Sequence, residues 1–81
     1  MDIHERASII AGRLAENALL RTKSHRLWVG FGKGRLCDGC GEPITGGDVE
    51  NEHDLAGGGI LRVHAECSVL WQRMTAPPTS N

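Results

Sequence analysis

Two short stretches, Cys37-Asp38-Gly39-Cys40 and His64-Ala65-Glu66-Cys67, decide how this chain folds. They hold all three cysteines of an 81-residue sequence. In the first, two intervening residues let both thiolates point at one ion, and Gly39 and Gly41 permit the backbone angles of a tight turn. In the second, a step of three residues across a helix start puts the imidazole and the thiol on one side. The pattern is C-x2-C-x23-H-x2-C, a Cys3His donor set suited to tetrahedral Zn2+. Cys37, Cys40, His64 and Cys67 are therefore the expected ligands of one structural zinc ion. Four protein donors leave no open coordination position for catalysis.

A chain of 81 residues is one domain, and it buries a small core that is marginal without help. Small domains recruit disulfides, a metal or a partner subunit. Three cysteines cannot all pair within one chain, which again favours the metal. No stretch approaches the ~20 apolar residues of a membrane span. The start, MDIHERASII, has early acids and no long apolar run, unlike a signal peptide. Reduced cysteines without an export signal lead us to expect a cytoplasmic protein with no membrane partner.

Outward from the metal motif, the reading has four pieces. Residues 37–76 form the zinc module. In DVENEHDL, Val49, Asn51, His53 and Leu55 alternate with Glu50, Glu52 and Asp54, as on the two faces of a strand. AGGG at 56–59 is a turn and ILRVH the return strand, so a β-hairpin is expected, with Arg62 placed to pair with one of the hairpin acids. From about Ala65 the pattern turns helical, with Cys67, Leu70, Trp71 and Met74 on one face, and Pro77 and Pro78 ending the helix. The tail, 77–81, is expected to be disordered. Residues 2–22 predict an amphipathic helix whose apolar face carries Ile3, Ala7, Ile10, Ala11, Leu14, Ala15 and Ala18, with Arg6, Arg13 and Glu16 off that face. Residues 23–36, KSHRLWVGFGKGRL, predict a glycine-rich basic connector.

Knuckle, hairpin, then a helix carrying the last two ligands resembles a treble-clef zinc finger. The ligand order and spacing are similar to the first zinc half of LIM domains and to the fingers of poly(ADP-ribose) polymerases, whose gap between pairs is longer. The likeness covers residues 37–74 and maps onto Cys37, Cys40, His64 and Cys67. It implies a small α+β module around a structural zinc, here with an added N-terminal helix. A LIM domain continues into further cysteine ligands, whereas this chain has none after Cys67. The whole layout also resembles small bacterial proteins of uncharacterised function.

Other motifs carry less. Gly30, Gly32 and Gly34 suggest a phosphate loop, but that needs a helix N-terminus after the glycines, and a cysteine knuckle follows instead. His64-Ala65-Glu66 matches the H-x-E of zinc deaminases, yet it follows the CxxC rather than preceding it, and Cys67 takes the water's place. A redox CxxC lacks its βαβ setting. No nucleophile and base pair stands out, so the chain reads as an interaction module and not an enzyme, with no small-molecule substrate evident.

Formal charge is −1 but segregated. Arg21, Lys23, Arg26, Lys33 and Arg35 lie between Asn17 and Cys37 without an acid, and Asp38, Glu42, Asp48, Glu50, Glu52 and Asp54 follow without a cation before Leu61. The basic segment either lies along the acidic hairpin or meets phosphates. Trp28 and Phe31 within it are expected to plug the core, the alternative being base stacking. Trp71 is expected in the core and His53 partly buried. The leading expectation is a protein-binding adaptor or regulator, contacting its partner through the apolar face of the first helix or the hairpin edge. The alternative is a nucleic-acid-binding finger using Arg21, Lys23, Arg26, Trp28, Lys33 and Arg35.

Overall fold

In the computed structural model, which describes residues 1–76, the chain is a small α+β unit. Its order is α1 (Ile3–Ala15), β1 (Ser24–Phe31), β2 (Val49–Leu55), β3 (Ile60–His64) and α2 (Ala65–Thr75). The strands form one antiparallel sheet in the order β1-β2-β3. Knuckle, hairpin and C-terminal helix stand as expected, with the added helix before them. Pro77, Pro78 and the tail lie outside the described residues.

Helix α1 starts where Asp2 caps it, the carboxylate accepting from Glu5 N–H at 2.8 Å. It ends at Ala15, not at 22. Asn17 takes a left-handed φ of 59°, and the N–H groups of Ala18 and Leu19 turn back to the Arg13 carbonyl at 2.8 and 3.2 Å. Asn tolerates this conformation and closes the last turn. Apolar periodicity continues through Ala18 but carries no record of this stop. Beyond it Leu19 is buried and the Leu20 carbonyl accepts from Trp71 Nε1 at 2.7 Å, fastening the segment to α2.

The expected connector is largely a strand. β1 runs antiparallel to β2, with Arg26 opposite Asp54, Trp28 opposite Glu52 and Phe31 opposite Val49. The basic segment thus lies beside the acidic strand through backbone pairing. Gly32 then crosses the loop after the knuckle so closely that a Cβ would strike the carbonyl oxygens of Ile44 and Thr45. The hairpin turn uses Gly57, Gly58 and Gly59 at φ of 89°, 101° and 97°, which only glycine adopts cheaply. Glu52 and Arg62 are opposite each other on β2 and β3 and pair at 3.1 Å, as the alternation suggested.

The core lies between α1, α2 and one sheet face. Ile10, Leu14, Leu19, Ile44, Leu55, Leu61, Val63 and Trp71 fill it together with the three cysteines. Ile10 and Leu14 bury as expected of the first helix, whereas Ile3 stays 46% exposed. His53 is completely buried, more so than the alternation implied. Its two ring nitrogens lie 2.7 Å from the hydroxyls of Ser24 and Ser68, and its ring centroid is 5.2 Å from that of Trp71. One histidine thus ties β1, β2 and α2 together. Trp28 and Phe31 do not enter the core: they are 54% and 73% exposed, because β1 is an edge strand lying beyond the reach of α2.

Candidate metal centre

The first pair of donors is built by a turn that β3 holds in place. Cys37 N–H donates to the Glu42 carbonyl at 2.9 Å and Gly41 N–H to the Cys37 carbonyl at 2.9 Å, closing the knuckle. Asp38 binds it to β3 twice: its N–H donates to the Arg62 carbonyl, and its Oδ2 accepts from Arg62 N–H, both at 2.8 Å. Gly39 makes room for the approach of the helices. A Cβ there would come within 3.3 Å of Cys67 Cβ and of Ile10 Cγ1. His64 closes β3 and Cys67 lies in the first turn of α2, so strand end and helix start aim the second pair at the first.

Cys37, Cys40, His64 and Cys67 converge as expected. All four are buried, and their donor atoms lie within 4.8 Å of one another. Cys37 Sγ accepts from the N–H groups of Cys40 at 3.5 Å and His64 at 3.4 Å. A hydrogen bond from the Cys67 thiol, working against burial and joined by those N–H groups, lowers the Cys37 pKa. The same contact, together with burial, pushes the Cys67 thiol up. Metal binding would release the thiol protons of this donor set.

His64 presents the right nitrogen. Nε2 lies 3.1 Å from the Pro43 carbonyl and 3.7 Å from Asp48 Oδ2, both acceptors, so Nε2 carries the hydrogen. Nδ1 keeps its lone pair and faces Cys40 Sγ at 3.5 Å and Cys67 Sγ at 3.9 Å. A carbonyl or carboxylate behind the imidazole is the usual support of a metal-bound histidine. Asp48 is itself held by Thr45, whose N–H and hydroxyl donate to it at 2.9 and 3.0 Å and lower its pKa. Buried, converging, correctly tautomeric donors fit a single metal ion.

Two residues placed off the apolar face of α1 reach this region instead. Arg6 Nη1 lies 2.9 Å from His64 Nδ1, 3.3 Å from Cys40 Sγ and 3.6 Å from Cys67 Sγ. Arg13 Nη1 donates to the Asp38 carbonyl at 2.9 Å. The signal was present: Arg6, Ile10 and Leu14 follow one another at four-residue steps along one ridge. Counting only apolar residues hid it. Burial works to lower the Arg6 pKa, but the Cys67 hydrogen bond and the charges of Cys40, Cys67 and Glu66 outweigh it and raise it.

The second candidate set stays apart from the metal centre. Arg21, Lys23, Arg26, Trp28, Lys33 and Arg35 are all exposed, on β1 or flanking it. The Arg26 guanidinium lies 5.6 Å from the Trp28 ring centroid. None of these five cations makes an ion pair among the described residues. No described helix is long and apolar enough to cross a membrane. Comparison with protein families, curated proteins and solved structures gives no match.

Proposed function

We propose that this chain is a zinc-stabilised, non-enzymatic interaction module, an adaptor or regulator of the treble-clef kind, that takes an extended acidic segment of another protein onto the free edge of β1. Three sulfurs and one imidazole suit Zn2+ in a closed structural site. The reduced thiolates such a site needs fit a cytoplasmic setting.

The observation that carries the reading is β1 itself. All eight of its residues are exposed, no described residue pairs with its outer edge, and Leu27, Trp28, Val29 and Phe31 are 44%, 54%, 65% and 73% exposed. An uncovered apolar edge is a template for another strand. Lys23 and Arg21 precede it and Lys33 and Arg35 follow it, which suits acidic residues at both ends of the incoming segment. The apolar face of α1, by contrast, is taken up internally by Ile10 and Leu14.

Exposed aromatics among cations also favour the nucleic-acid reading. Geometry weighs against it. Trp28 and Phe31 lie on opposite faces of the strand, so they form no common stacking platform. Trp28 shares its face with Glu50 and Glu52, whose carboxylates repel phosphate.

The test begins with elemental analysis, which should give one zinc per chain, and chelation, which should unfold the knuckle and α2. Amide NMR shifts are then followed with two probes, a Val/Thr-alternating peptide flanked by glutamates and a single-stranded DNA of equal charge. The peptide should shift residues 24–31, and Val29→Lys should abolish the effect. DNA binding with a steep salt dependence, and no response to the peptide, would establish the nucleic-acid finger instead.

A further inference from the structure

Arg6 is out of place by the usual rules for cations. It is only half exposed, and its Nε has neither solvent nor a hydrogen-bond partner. Among the described residues it makes no ion pair with a carboxylate. Its Nη1 goes instead to three of the four metal-donor atoms, on Cys40, His64 and Cys67. Burying a guanidinium without a carboxylate is unfavourable unless some other negative charge compensates.

The donor set supplies that charge. Three thiolates and a neutral imidazole around a divalent ion leave one excess negative charge, spread over the sulfurs. When a metal takes the His64 Nδ1 lone pair, the sulfurs of Cys40 and Cys67 remain as acceptors for Nη1. From this we infer that Arg6 is a positioning residue of the metal centre, cancelling its excess charge through N–H···S hydrogen bonds to Cys40 and Cys67. The inference rests on the metal-site reading but not on the proposed partner. It makes α1 part of the metal centre: the helix that carries Arg6 also buries Ile10 against the knuckle. It also means that the sulfurs, drawn toward a cation, are poor nucleophiles while the metal is bound.

The experiment compares full-length parent, Arg6→Met, Arg6→Lys and Arg13→Met. Arg13 is the control, since it also joins α1 to the knuckle but touches no donor atom. Three readouts are taken: metal affinity by competition with a chromophoric chelator, iodoacetamide alkylation of the metal-loaded thiolates, and the sulfur-to-cobalt charge-transfer band after Co2+ substitution. Removing such an outer partner weakens metal affinity by about 10–100-fold. Arg6→Met should show that loss, faster alkylation and a displaced band. Arg6→Lys should fall between it and the parent, since it keeps the charge but not the planar fork. Arg13→Met should leave alkylation and the band unchanged. If Arg6→Met does not fold, Arg6→Lys decides by the same readouts. Arg6 variants with the parent's affinity, alkylation rate and band would overturn the inference. A parent that binds no metal at all would instead remove the metal site on which it rests.

Discussion

Replacing Ile10 with Ala tests whether α1 belongs to the fold. Ile10 has no exposed surface, and its Cγ1 and Cδ1 lie 3.3 and 3.4 Å from where a Cβ on Gly39 would be. The substitution removes three carbons, each contributing ~0.8 kcal/mol of transfer free energy, or roughly 2.4 kcal/mol together. A cavity follows, because Gly39 and Cys67 are fixed by the knuckle and by α2 and cannot close over the gap. Adding the cavity brings the expected loss to about 3–4 kcal/mol, inside the ~2–5 kcal/mol usual for Ile→Ala. A chain of this length has a total stability of only ~4–12 kcal/mol, so the loss is a large fraction of it. In thermal unfolding at a fixed excess of free Zn2+, the midpoint should fall by about 12–32 °C, since each kcal/mol shifts a domain of this size by ~4–8 °C. A second substitution locates the cause. Gly39→Ala in the parent should cost ~1–3 kcal/mol by overpacking. In the Ile10→Ala background the new methyl enters the vacated space, so the two losses should sum to less than their separate values. A loss below about 1 kcal/mol for Ile10→Ala, or strict additivity of the pair, would refute the docking of α1 on the knuckle.

Burial lowers the pKa of His53 below that of the unfolded chain, so the unfolded state binds more protons as the pH falls. Stability contributed by neutral His53 is present above ~6.5 and is lost on acidification through the folded-state value; urea titrations from pH 7.5 to 6 should show it, with a shallower slope in His53→Gln. An equal slope would assign the pH dependence to other groups. Arg26→Glu with Lys33→Glu sets like charge opposite Asp54 and in the groove that Lys33 lines with Glu50 and Glu52, but with no ion pair to break the cost should stay below ~1 kcal/mol and be greater at low salt than at high. A salt-independent loss of several kcal/mol would mean that these side chains have a structural role beyond charge.

The convergence of Cys37, Cys40, His64 and Cys67 was fully legible in the sequence because its information is local. Spacing within CDGC and HAEC dictates which side chains can turn to one ion, and using every cysteine left no competing set. Hairpin and second helix were legible for the same reason, through alternation, a glycine turn and a change of period. What tertiary structure decided depends on neighbours distant in the chain. The glycines of 30–34 disguised β1, whose pairing with β2 becomes visible only across the intervening residues 32–48. Trp28 and Phe31 were assigned to the core by their hydrophobicity, yet a strand's place in the sheet order sets exposure, and β1 is at the edge. Arg6 was placed off the apolar face of the first helix. It turns inward because the sulfurs it meets come from residues 40 and 67, and only the folded chain brings these acceptors together beside it.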